Sequence, residues 1–118
     1  MTVRTAFDTA RGEDRAALIG YLPAGFPDVE GAIDALRVMV DAGCDVIEVG
    51  MPYSDPVMDG PTIQAAAQQA LEGGVRTRDV LRTVEAVATT GTPAAMASRR
   101  QTGVPSLREV RATTSRSA

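Results

Sequence analysis

Apolar residues form two short continuous runs in the first half of the chain. The first run is ALIGYL at 17–22, and the second is CDVIEVG at 44–50, whose β-branched residues are typical of a strand buried on both faces. Turn-forming residues follow each run, with Pro23 after the first and Pro52 after the second. We therefore predict two strands, at 17–22 and 44–50.

Helical spacing of apolar residues follows the first predicted strand. From Val29 to Val40, apolar side chains recur three or four positions apart, which predicts a helix ending at Asp41. Asp28 immediately precedes this stretch and is a favourable N-cap. Gly43 follows it and can adopt the left-handed conformation that often ends a helix.

Three further stretches have helical patterns. Apolar residues on one side predict a helix at 61–71, opened by Pro61, and another at 78–89, where Thr77 is the expected cap. A weaker pattern covers residues 5–15. Together with the two strands, these helices predict a parallel α/β protein.

A parallel sheet requires more than two strands, and Ala94-Ala95-Met96 begins a plausible third one after Pro93. Beyond Met96 the residues are mostly Arg, Ser and Thr, and no strand period is visible. We therefore expect residues 1–96 to form the ordered domain and residues 97–118 to be a basic tail, disordered by composition.

Charge is unevenly distributed between these two parts. Residues 1–96 contain seven Arg and fourteen acidic residues, whereas residues 97–118 contain five Arg and one Glu. A basic tail can bind nucleic acid, but this one has neither aromatic residues nor Lys, so we expect no nucleic-acid partner.

The composition also limits the cellular compartments and the kinds of chemistry that we expect for this protein. The chain has no apolar run long enough to span a membrane and no signal-peptide pattern at its start, so we expect a cytoplasmic protein. It has no His and a single cysteine, Cys44, which fits a small core residue in a reduced compartment. These residues predict no transition-metal site.

Glu48 is the strongest candidate for chemistry. It lies inside the apolar run 44–50, and a carboxylate in such surroundings is unfavourable unless it is paired or protonated. Near the carboxyl end of a parallel strand, a Glu whose pKa is raised by burial suits general acid–base catalysis. Gly50, on the same strand face, is expected to leave space above the carboxylate. The alternative is a buried Glu that pairs with an Arg elsewhere in the fold.

The loop after this strand contains two more acidic candidates, and each has a structural alternative. Asp59, in Asp-Gly before Pro61, fits a turn that leads into a helix. Asp55, in Ser-Asp-Pro, fits an Asx-turn. Tyr21, on the first predicted strand, fits core packing as well as a binding role.

The run IEVGMPYSDPVMDGPTIQ at 47–64 resembles the diagnostic motif of the tryptophan synthase alpha subunit, an indole-3-glycerol-phosphate lyase. ALIGYLPAGFPD at 17–28 is similar to the first barrel strand of that family, and the resemblance covers about residues 5–96. Met58 is a departure, because a small residue is usual there. Length is the larger departure, since the chain resembles only the opening third of a (β/α)8 TIM barrel.

The resemblance implies a carbon–carbon lyase of tryptophan biosynthesis. Such an enzyme cleaves indole-3-glycerol phosphate to indole and glyceraldehyde 3-phosphate in a retro-aldol reaction. Glu48 matches the family's general acid–base residue, and Asp59 matches the second acid, which accepts the indole N–H. Tyr21 resembles an aromatic position near the indole pocket.

The resemblance also implies a partner. Family members pair with a beta subunit in an alpha2beta2 tetramer, and pyridoxal phosphate is expected only in that subunit, so no cofactor is expected in this chain. Asp55 resembles the loop residue that communicates with the partner, and Pro52 lies on the same loop.

Phosphate is held in this family by late loops that have no counterpart in these residues. We therefore expect the 118-residue chain to be inactive alone, and its tail suggests a frameshifted or truncated copy. The alternatives are a non-catalytic fragment that docks on a beta subunit through the 51–60 loop, and an unstable truncated product.

Overall fold

The computed structural model describes residues 1–53, 59–99 and 105–110. From the first helix to the third strand, its elements follow one another in the order that the spacing of apolar residues predicts. In chain order they are α1 (Val3–Gly12), β1 (Ile19–Pro23), α2 (Val29–Asp41), β2 (Val46–Gly50), α3 (Pro61–Glu72), α4 (Thr77–Ala88), β3 (Ala94–Arg99) and β4 (Pro105–Val110). None of these helices combines the length and apolar character that a membrane crossing requires.

The strands form one sheet in the order β1-β2-β3-β4. β1, β2 and β3 are parallel, and β4 runs antiparallel to β3. In this register, Glu48 of β2 lies between Tyr21 of β1 and Ala95 of β3. The predicted parallel α/β architecture is therefore confirmed for the first three strands.

The hydrophobic core lies on one face of this sheet. Leu36 of α2 and Val84 of α4 are fully buried there against Ile47 and Val49 of β2. Because side chains alternate across a strand, Glu48 points to the opposite face. The helices α2 and α4 thus cover the face that does not carry the candidate acid.

Local hydrogen bonds define the ends of α2. The Asp28 carboxylate accepts the backbone N–H of Gly31 at 2.7 Å, which confirms the predicted N-cap. Gly43 has φ of +109°, which confirms the left-handed residue after the helix. Cys44 N–H still donates to the carbonyl of Met39 at 3.1 Å, so β2 begins at Val46 rather than at Cys44.

Two other helix starts differ from the sequence-based expectation. α4 begins at Thr77, but its N-cap is Arg76, because the Asp79 carboxylate accepts the Arg76 N–H at 2.9 Å. α1 begins at Val3 rather than near residue 5, because Thr2 and Thr5 each accept the other's backbone N–H through their hydroxyls. Apolar spacing gives no information about either cap.

The chain beyond Met96 also differs from the expectation that regular structure ends there. β3 continues to Arg99, and Pro105–Val110 pairs with it along its whole length. Antiparallel pairing satisfies backbone donors and acceptors without requiring a strong hydrophobic period, which explains why the sequence pattern did not reveal β4. The division of the chain into an ordered domain, 1–96, and a tail, 97–118, stays a prediction.

Candidate active site at the carboxyl end of the second strand

Glu48 is the third residue of β2, and its surroundings are apolar. Its neighbours on the same strand face are Val46 and Gly50, and its register partners are Tyr21 and Ala95. The Glu48 side chain is half-buried, and this burial raises its pKa above the usual value for a glutamate. A carboxyl group in this environment holds its proton to higher pH than an exposed one.

The Tyr21 ring lies over Gly50, two residues beyond Glu48. A Cβ atom at Gly50 would lie 2.2 Å from the Tyr21 hydroxyl oxygen and 2.7 Å from the ring carbon Cζ. The missing side chain at Gly50 therefore makes room for Tyr21, and the expectation that it leaves open space above the carboxylate is wrong. The structure thus brings Tyr21 and Glu48 together on one face of the sheet.

Asp59 lies two residues before the first residue of α3. Its backbone carbonyl accepts a hydrogen bond from the side-chain amide of Gln64 at 2.7 Å, and the residue is half-buried. Gly60 is the N-cap of α3, and Pro61 is its first residue, as a turn leading into a helix requires. The local geometry therefore fits the structural alternative for Asp59.

The loop that joins β2 to α3 carries the two residues assigned to a partner interface. Pro52, two residues beyond the end of β2, is half-buried. Asp55 lies outside the described residues. The interface assignment of both residues stays a prediction.

This end of the sheet has the elements of a proton-transfer site. The carboxyl ends of β1 and β2 meet at one edge, where parallel α/β proteins place their reacting groups. The Glu48 carboxyl can donate and recover a proton, and the Tyr21 ring supplies an aromatic surface beside it. Within residues 1–53, 59–99 and 105–110, no group of three or more His, Cys, Asp or Glu side chains could hold a metal ion.

An ion pair at the opposite end of the sheet was not predicted from the sequence. Both terminal nitrogens of Arg15 donate to the Asp45 carboxylate at 2.9 Å, and the Leu18 N–H donates to it at 2.8 Å. These contacts lower the pKa of Asp45 to about 2, and the Arg15 hydrogen bonds have the largest effect. The sequence signal that could have predicted this ion pair is the position of the two residues along the chain. Arg15 and Asp45 each shortly precede one of two adjacent parallel strands.

A cavity of about 500 Å³ also lies at this opposite end. It is bordered by α1 and by the segment that leads into β1, and none of the candidate site residues contributes to it. Its lining residues are Phe7, Ala10, Arg11, Asp14, Arg15, Ala16 and Ala17.

The sequence profile described as "Tryptophan synthase alpha chain" matches residues 7–98. The chain belongs to the tryptophan synthase alpha chain family. It is 65% identical over 92 residues to the alpha chain of Nocardia farcinica, which covers 78% of this chain and 35% of that relative. It is also 65% identical over 91 residues to the alpha chain of Salinispora tropica, covering 77% of this chain and 34% of the relative.

Solved structures of this family have a similar arrangement of elements over about four fifths of this chain. Tryptophan synthase from M. tuberculosis superposes with a TM-score of 0.77 at 55% identity, over 79% of this chain and 38% of that one. The alpha subunit from Legionella pneumophila superposes with a TM-score of 0.75 at 31% identity, over 81% and 38%. The chain therefore has an incomplete amino-terminal portion of a TIM barrel, and it spans about a third of the length of the curated relatives it matches.

Proposed function

We propose that residues 7–98 carry the proton-transfer part of an indole-3-glycerol-phosphate lyase, which forms indole for tryptophan biosynthesis. The observation that carries this proposal is the half-buried Glu48, which lies beside Tyr21 two residues before the carboxyl end of β2 and has a raised pKa. Membership of the tryptophan synthase alpha chain family supports the choice of reaction. The substrate, the bond that is broken and the roles given to Asp59 and Tyr21 come from the family.

Glu48 transfers the protons in this proposal. Its carboxyl group donates a proton to C3 of the indole ring, which makes the bond from C3 to the glycerol chain weak enough to break. A base removes the proton from the glycerol hydroxyl, the bond electrons return to the ring, and an aldehyde forms. The raised pKa suits the first step, because it keeps a larger fraction of Glu48 protonated near neutral pH.

Asp59 and Tyr21 orient the substrate in this proposal. The Asp59 carboxylate accepts the indole N–H and stabilises the positive charge that develops on the ring. The Tyr21 ring, held over Gly50, forms one wall of the indole pocket. Neither role needs a cofactor in this chain.

We propose that these 118 residues alone do not release indole at a measurable rate. They span about a third of the relatives' length, and the phosphate-binding loops expected in the remainder provide much of the energy that positions the substrate. A general acid without that binding energy acts on substrate only at random encounters.

The partner of this site is a beta subunit in our proposal, contacted through Pro52 and Asp55. Pro52 lies two residues beyond the end of β2, so a protein bound there lies near the end of the strand that carries Glu48. Pyridoxal phosphate belongs to that subunit. Membership of the tryptophan synthase alpha chain family supports this pairing.

A hybrid alpha chain tests the function. Residues 1–98 of this chain are joined to the part of the Nocardia farcinica alpha chain that follows the matched region. We expect the hybrid to release indole from indole-3-glycerol phosphate, and the 118-residue chain to release none.

The Asp59→Asn variant of the hybrid tests the role proposed for Asp59 as the second acid. We expect a loss of about 10-fold or more in the rate of indole release, because the amide cannot stabilise positive charge as a carboxylate does. Asp34→Asn, an exposed change on α2, is the control. A hybrid that folds but releases no indole, or an active 118-residue chain, would contradict the proposal.

A further inference from the structure

The parallel part of the sheet has two edges, and they differ. The β3 edge is covered by β4, whereas β1 has β2 as its only neighbour in the sheet of the described residues. Leu18, just before β1, and Ile19, its first residue, are 57% and 46% exposed. An open strand edge with exposed apolar residues readily adds a strand from another chain.

The β1 edge of one copy fits the β3 edge of another. The strands β1, β2 and β3 run in one direction, and α2 and α4 pack on the same face of them. If β1 of a second copy lay beside β3, its strand direction would continue the parallel sheet. Its helices would also lie on the same side as those of the first copy.

In the isolated chain, β4 occupies this position. It pairs antiparallel with all six residues of β3, from Ala94 opposite Val110 to Arg99 opposite Pro105. A strand edge that is paired along its whole length has no free donors or acceptors for a second strand. An antiparallel strand at this edge therefore excludes a parallel neighbour.

We propose that β4 is an internal cap, and that without it β3 of one copy binds β1 of the next copy. Each copy carries one β1 edge and one β3 edge, so the contact is head-to-tail and builds rings or open chains of copies. A second copy is the occupant we infer because the same polypeptide supplies both matching edges. This proposal is independent of the lyase chemistry.

Two variants of the 118-residue chain remove the cap. Leu107→Pro/Arg108→Pro takes two backbone N–H donors from the centre of β4, and the second variant replaces residues 105–110 with Gly-Ser repeats. Thr114→Pro, beyond the last residue of β4, is the matched control. The molar mass in solution is measured by light scattering after size-exclusion chromatography, and the helical content by circular dichroism.

We expect the wild-type chain and Thr114→Pro to elute with the same mass, and both cap variants to shift to at least about three times that mass. Adding Leu18→Lys/Ile19→Lys to either cap variant should return the mass to the wild-type value, because charge on an edge strand blocks pairing.

Three results would overturn the proposal. The first is a folded cap variant with unchanged mass. The second is association that persists after Leu18→Lys/Ile19→Lys. The third is loss of helical content in both cap variants, which would make β4 a required part of the fold rather than a cap.

Discussion

Gly50 determines where the Tyr21 ring lies, and so it shapes the surface next to Glu48. Its open side faces the Tyr21 hydroxyl oxygen, which would lie 2.2 Å from a Cβ atom. Gly50 is therefore a packing requirement of the site, whereas Glu48 is its chemical group. The sequence identified Glu48 because a carboxylate in an apolar run is unusual. It could not show the Tyr21 contact, which depends on the register of β1 against β2.

We expect Gly50→Ala to lower the free energy of unfolding by about 1–3 kcal/mol, because the new methyl group forces the Tyr21 ring or the backbone to move. Urea unfolding of the 118-residue chain at pH 7 measures the change. Gly12→Ala is the control, because no heavy atom lies within 4 Å of a Cβ at Gly12.

A double variant separates this steric contact from other effects of the alanine. In a Tyr21→Ala background, Gly50→Ala should be nearly neutral, since the clashing ring is gone. Equal unfolding midpoints for Gly50→Ala and the wild-type chain would show that Tyr21 does not occupy the space over Gly50.

At the level of elements, the Arg15–Asp45 pair joins the starts of β1 and β2. Asp45 accepts two hydrogen bonds from Arg15 and one from the Leu18 backbone, and its side chain is only 14% exposed. Because the pKa of Asp45 is about 2 in the folded chain and about 4 when unfolded, folding favours the ionised form. This contribution to stability is complete above about pH 4 and is lost as the pH falls to about 2.

We therefore expect Asp45→Asn to lower stability at pH 7, and the difference from the wild-type chain to shrink between about pH 4 and pH 2. Urea unfolding at a series of pH values measures this difference. Asp34→Asn, an exposed change on α2, should have little effect at any pH. A difference for Asp45→Asn that is the same at pH 7 and pH 2 would exclude the ion pair as its cause.

The sequence predicted the elements better than it predicted their ends. The helices α2 and α3 and the strand β2 follow from apolar periodicity, because the core contacts of each are repeated along its length. The N-cap at Arg76, the start of α1 at Val3 and the strand β4 depend on a few polar or backbone contacts. Such contacts leave no period in the sequence.

At the scale of the whole molecule, the chain is one part of a barrel wall. The helices α2 and α4 cover one face of the sheet, and the other face carries Tyr21 and Glu48. In a closed barrel that second face lies inside, where further strands would surround the carboxyl group. Family motifs made this arrangement predictable. The antiparallel strand β4 was not predictable. The family resemblance ends at residue 98, near the end of β3, and β4 lies beyond it.

In the proposed reaction, Glu48 transfers the proton that releases indole. The most direct measurement compares the indole release rate of the hybrid alpha chain with that of its Glu48→Gln variant, at saturating indole-3-glycerol phosphate. Glutamine has nearly the same shape but no transferable carboxyl proton, so we expect a loss of about 100-fold or more. Glu85→Gln, an exposed change on α4, should leave the rate unchanged. A Glu48→Gln hybrid that releases indole as fast as the unmodified hybrid would contradict this role of Glu48.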